Sequence, residues 1–132
     1  MRKNILTLLF GMVSLTVSAQ SDVTVNVTGL ADGTTVEARL GSTHQTEKPL
    51  ATATVKGGAF TMTLPVEAPR HIVFSVRDVS GYFLNLMTDK GEKPVVKVDV
   101  SSHENNGSTW YEGENVEVSG SPMQAEYELR IG

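Results

Sequence analysis

Cysteine is absent from this 132-residue sequence. That one absence excludes a disulfide framework, thiolate-ligated zinc or iron–sulfur centres, a cysteine nucleophile and a CxxC redox pair. A basic surplus is missing as well: 11 Lys and Arg stand against 15 Asp and Glu, for a net charge of −4. No positive field exists to hold a phosphate backbone, so nucleic acid is not an expected partner. Also missing are the G-x-S-x-G elbow of acyl-transfer enzymes and any low-complexity tract or internal repeat. What remains, at 39% hydrophobic and 20% charged residues, is too short for two ordinary domains and apolar enough to fold as one.

The first residues have a separate job. Arg2 and Lys3 precede the apolar run Ile5 to Val13, and Val17-Ser18-Ala19 supplies small residues where a signal peptidase cuts. This is the pattern of a secretory signal peptide over residues 1–19. Thr7, Ser14 and Thr16 interrupt the run, which falls short of the roughly 20 residues of a membrane-spanning helix. Cleavage after Ala19 leaves 113 residues and removes two positive charges, so the net charge becomes −6. The expectation is an exported, periplasmic or secreted protein with no stable membrane insertion after cleavage. Without a cysteine to acylate, it is expected to be non-lipidated.

From residue 20 onward, apolar and polar residues alternate with the period of a half-buried strand. Val23, Val25 and Val27 oppose Thr24, Asn26 and Thr28, and Val36, Ala38 and Leu40 oppose Glu37 and Arg39. The pattern returns at Ala51 to Val55, Phe60 to Leu64, Ile72 to Val76, Tyr82 to Leu86, Val96 to Val100, and Val116 and Val118. About eight short strands with turns between them predict an all-β antiparallel sandwich over residues 20–120. Parity tests the turns, because a two-residue loop fixes which residues face each other. With Gly57-Gly58 as loop, Val55 meets Phe60, Ala53 meets Met62 and Ala51 meets Leu64; with Asp32-Gly33, Val27 meets Ala38 and Val25 meets Leu40. A three-residue loop, Val79-Ser80-Gly81, is expected between Val76 and Leu84. Phe83 and Met87 fall opposite Tyr82, Leu84 and Leu86, so that strand is expected to be central or covered by a helix.

Ser101 to Asn115 reads as the longest irregular stretch, and Ser121-Pro122-Met123-Gln124 reads as a capping box that opens a short helix over residues 121–132. Met123, Tyr127 and Ile131 form an apolar stripe, but some ten residues make a marginal helix alone. It must either dock on the sheet or be the first turns of a longer, truncated linker helix.

Candidate chemistry is sparse. His44, His71 and His103 do not pair at metal-ligand spacing, Ser102-His103 lacks triad context, and Glu112, Glu114 and Glu117 look like a solvated face. No catalytic residue, metal site or cofactor is therefore assigned. Trp110, Tyr111 and Glu112, set among Asn, Ser and Glu, are the candidate ligand or partner contacts. An aromatic face with hydrogen-bonding neighbours holds sugars and anchors protein interfaces. The competing reading is that both rings merely cover an open end of the sandwich.

The order of landmarks is similar to a known family. Val23 to Gly29 followed by Asp32-Gly33, the hairpin Ala53 to Phe60, Pro69 before a strand, Tyr82-Phe83-Leu84 leading to Gly91, and Val118 to Ser121 opening a helix resemble the DUF4369 domain. The resemblance implies a β-rich domain of unknown function found in Bacteroidetes, N-terminal to exported thioredoxin-like disulfide oxidoreductases of the AhpC/TSA type. It supplies no catalytic residue. The function expected is an exported, non-catalytic β-sandwich binding or docking module of the bacterial cell envelope, with a protein or a thioredoxin-like domain as partner. Two alternatives stand beside it: the N-terminal fragment of a thioredoxin-like oxidoreductase whose catalytic domain is missing, and a carbohydrate-binding or adhesin-like surface module with a glycan partner.

Overall fold

Alternation places the valines of the first strand inside and its threonines and asparagine outside, and the segments 59–64, 84–88 and 95–100 repeat the same rule. A computed structural model describes residues 20–42 and 47–131; the expected signal peptide and His44 lie outside the described residues. The strands are β1 (Ser21–Thr28), β2 (Thr35–Leu40), β3 (Ala51–Thr54), β4 (Ala59–Leu64), β5 (Arg70–Val76), β6 (Leu84–Thr88), β7 (Val95–Asn105) and β8 (Ser108–Ser119), followed by helix α1 (Pro122–Ile131). They form two four-stranded sheets, ordered β4-β1-β7-β8 and β3-β2-β5-β6. The expected all-β sandwich of eight strands with a short C-terminal helix is what the chain forms. One pairing departs from the antiparallel rule: β7 runs parallel to β1, with Val25 beside Val96 and Val27 beside Val98.

The core lies between the sheets. Val23, Val25, Val27, Phe60, Met62, Leu64, Val96 and Val98 meet Val36, Ala38, Ile72, Phe74, Leu84 and Leu86, all nearly or completely buried. Phe60 and Phe74 bridge the layers with ring centroids 6.2 Å apart and planes tilted by 52°. Burial of this apolar set is the main source of stability, at roughly 25 cal/mol per Å² removed from water.

Both expected hairpins around Gly57-Gly58 and Asp32-Gly33 are corrected. The turns exist: Lys56 and Ala59 exchange two hydrogen bonds of 2.9 and 3.2 Å, and the Thr34 amide donates to the Ala31 carbonyl at 3.2 Å. The strands they join nevertheless lie in different sheets, β3 on β2 and β4 on β1, with Val36 opposite Ala53 and Val25 opposite Phe60. A turn that crosses between facing sheets sends the same residues inward as a hairpin within one sheet. Parity alone therefore does not separate the two. Here the corners hold each other: the Val55 amide donates to the Thr34 carbonyl, the Gly33 amide to the Val55 carbonyl, and the Gly57 amide to Asp32 Oδ1 at 3.0 Å.

The β5–β6 hairpin does form, with Phe74 opposite Leu84 and Ile72 opposite Leu86. Its connection is longer than the expected three residues, running from Arg77 to Phe83 through left-handed Asp78 and Gly81. Tyr82 is consequently outside, at 52% exposed, while Phe83 is buried. The inward assignment of Tyr82 fails because regular alternation begins only at Leu84. Phe83 is accommodated by Gly113, where any β-carbon would overlap the Phe83 carbonyl oxygen.

β6 is an edge strand, and α1 closes it. Gln124 Oε1 accepts from the Met87 amide at 2.8 Å, so Gln124 does not complete a capping box but supplies an acceptor to the sheet edge. Ser121 performs the cap, its Oγ accepting from the Gln124 amide at 3.0 Å. Glu92 joins the same node: Oε1 lies 2.6 Å from Ser121 Oγ and 3.1 Å from Thr88 Oγ1, and Oε2 accepts from the Met123 amide at 3.2 Å. A carboxylate at a helix N-terminus is favourably placed against the helix dipole. The short helix is thus held by its first turn.

A candidate contact site on the β7–β8 ribbon

The stretch Ser101 to Asn115 is not irregular. It is the far half of an antiparallel ribbon that turns at Asn106-Gly107, with φ of 52° and 83°. Two successive left-handed residues of this type make the turn whose twist matches paired strands, and Asn-Gly is its strongest sequence signal. The signal was present; the surrounding polar residues masked it, because neither face of this ribbon segment is buried enough to alternate in hydropathy.

Register follows from the turn. Glu104 faces Thr109, His103 faces Trp110, Ser102 faces Tyr111 and Ser101 faces Glu112. β7 pairs with β1 only as far as Asp99, so beyond that point β7 and β8 have each other as their strand partners. Between Lys97 and Asp99 the register shifts, and left-handed Asn115 marks the bulge on β8. Asp99 pins it: Oδ2 accepts from Asn115 Nδ2 at 3.0 Å and Oδ1 from the Thr28 hydroxyl at 2.8 Å. These two bonds hold the Asp99 carboxyl below the usual aspartate range. The bulge also explains why Val116, expected beside Val118 in the core, is exposed instead.

The three candidate residues do not form one patch. Tyr111 turns inward and packs partly buried against the core, which is the covering role considered for both rings. Trp110 and Glu112 point to the other face, where Trp110 is 38% exposed. Its ring stacks on His103 with centroids 5.4 Å apart and planes 21° from parallel. His103 Nε2 lies 3.9 Å from Glu112 Oε1, beyond hydrogen-bond reach, and makes no hydrogen bond among the described residues. The outer site is therefore His103, Trp110 and Glu112. Sequence reading missed His103 as a member; the Asn106-Gly107 turn would have paired it with Trp110.

Among the described residues no group of three His, Cys, Asp or Glu is placed to hold a metal ion. No described helix is long and apolar enough to cross a membrane.

Fold and site together define a small two-sheet all-β domain whose most distinctive surface is an aromatic-bearing ribbon. The chain belongs to the family described as Domain of unknown function (DUF4369), whose model matches residues 21–127, all eight strands and the first part of α1. No curated protein matches the chain.

Proposed function

We propose that this protein is an exported, non-catalytic docking module of the bacterial cell envelope and that the β7–β8 ribbon meets its partner. The observation that carries the reading is the exposed Trp110 ring, pre-stacked on His103, on a ribbon segment that extends past its pairing with β1. A large aromatic held in one orientation loses little entropy on binding, and such residues dominate the energetics of protein interfaces. The secretion-type N-terminus supports export, and the acidic composition accords with a partner other than nucleic acid.

The test compares the purified protein with Trp110→Ala and with Thr61→Ala, a change on the outer face of β4, as baits in envelope extract. A specific protein retained by wild type and Thr61→Ala but lost with Trp110→Ala supports the reading; equal retention by all three overturns it. Because Trp110 is the single tryptophan, its fluorescence reports this ribbon alone. A saturable spectral shift on adding envelope polysaccharide, with no protein captured, replaces the protein partner by a glycan.

A further inference from the structure

The outer face of the second sheet holds a charge cluster remote from the ribbon. Alternation points Glu37, Arg39 and Ser75 away from the core, yet all three are buried. Glu37 divides its carboxylate between two guanidinium groups, Oε1 at 3.0 Å from Arg39 Nη2 and Oε2 accepting from Arg77 Nε at 2.9 Å. Arg39 is otherwise occupied, its Nε donating to the Glu47 carbonyl at 2.8 Å. Arg77 is not. Its side chain is 50% exposed, and among the described residues its side chain is engaged through Nε with Glu37 alone, leaving the paired Nη groups available.

A cavity of about 330 Å³ opens here, lined by Glu37, Arg39, Arg77, Asp78, Val79 and Ser80. Asp78 begins the β5–β6 connection in a left-handed conformation, φ 66°, and its carboxylate has no hydrogen-bond or ion-pair partner among the described residues. The lining thus offers two arginines and two carboxylates, with Glu37 shared between Arg39 and Arg77, so that the Nη groups of Arg77 and the carboxylate of Asp78 are what is left to meet a ligand. A simple anion would satisfy Arg77 and face Asp78 unpaired, and a simple cation would do the reverse. The volume is at the low end of ligand pockets, which run from about 300 to 1,000 Å³, and suits a molecule of few heavy atoms.

We infer that this cavity binds a small zwitterion of the amino-acid class, its carboxylate on the Nη groups of Arg77 and its ammonium on Asp78. The fork geometry of a guanidinium matches a carboxylate through two parallel hydrogen bonds, and Glu37 holds that fork in place from behind. Ser80 supplies a hydroxyl, and Val79 an apolar wall for a short side chain.

Amide chemical-shift titration of the purified protein with L-alanine tests this, with acetate and methylamine as single-charge probes. The expected result is saturable movement of the Asp78, Val79 and Ser80 amides below about 20 mM alanine, with both single-charge probes at least about ten-fold weaker. Arg77→Gln and Asp78→Asn should each weaken alanine about ten-fold or more while leaving β1 and β7 amide shifts in place. Asparagine accepts a left-handed backbone, so Asp78→Asn keeps the loop and removes only the charge. No saturable response to alanine, acetate binding as tightly as alanine, or unchanged binding by Asp78→Asn would each overturn the assignment.

Discussion

His103 and Trp110 face each other across the β7–β8 ribbon with their rings stacked at 5.4 Å, on the side turned away from the core. The pair fixes the Trp110 ring while leaving much of it in water, so its contribution to folding is small and separable from its contribution to binding. Cross-strand aromatic pairs contribute about 0.2–1 kcal/mol. A double-mutant cycle with His103→Ala and Trp110→Ala, followed by denaturant unfolding, should give a coupling energy in that range. A coupling near zero would mean the rings do not hold one another in solution.

The core makes a sharper demand. Phe60 is 3% exposed against Phe74, whereas Thr61, its neighbour on β4, points outward. Phe60→Ala should cost about 3–5 kcal/mol, and Thr61→Ala well under about 1 kcal/mol. Equal losses in chemical unfolding would reverse the facing of β4, and with it the assignment of every strand paired to β1.

These two sites mark how far sequence reasoning reaches. Valines at 23, 25, 27, 96, 98 and 100 announce their burial because a strand with one wet face has no other economical pattern. Partners are less legible than faces. Val25 lies opposite Phe60 and Ala53 opposite Val36, pairings that turn parity leaves undetermined because an inter-sheet corner preserves it. The parallel pairing of β7 on β1 has no local signature, since its residues are 71 positions apart. The ribbon failed for another reason: its residues are polar on both faces, so only the Asn106-Gly107 turn encoded it. Glu37 and Arg39 show the reverse error, a charged alternation that reads as solvent-facing and is buried through mutual ion pairing.

That buried cluster predicts acid sensitivity. Burial pushes the Glu37 carboxyl up, but hydrogen bonds and charge from Arg77 and Arg39 outweigh it and hold it below the ordinary value of 4.5. A carboxyl lowered in the folded state adds stability above its unfolded pKa and loses it as pH falls through the folded value. The described fold should therefore weaken as pH drops below about 4.5, with Asp99, lowered by Asn115 and Thr28, adding to the trend at still lower pH. Glu37→Gln should flatten part of this slope. At neutral pH it should also cost about 3–5 kcal/mol, because Arg39 is left buried without its counter-charge. Thermal melts of both proteins between pH 3 and 7 measure the slope and the offset. An identical pH profile in the two would remove Glu37 as its source.

Among the hydrogen bonds that attach helix α1 to the sandwich, one can be followed at a single atom. The Met87 amide, on an edge strand with no further strand beside it, donates to Gln124 Oε1 at 2.8 Å. An edge amide without an acceptor exchanges with water, whereas one capped by a buried side chain is protected. Gln124→Ala should raise Met87 amide exchange by about five-fold, corresponding to the loss of roughly 1 kcal/mol for one hydrogen bond. Ser121→Ala attacks the same junction from the cap, since Ser121 Oγ both accepts from the Gln124 amide and lies 2.9 Å from the Met87 carbonyl. The two substitutions should be non-additive at Met87, because either one frees the same helical turn. Additive effects would show that cap and edge contact act independently, and unchanged exchange in Gln124→Ala would show that the Gln124 side chain does not protect the Met87 amide.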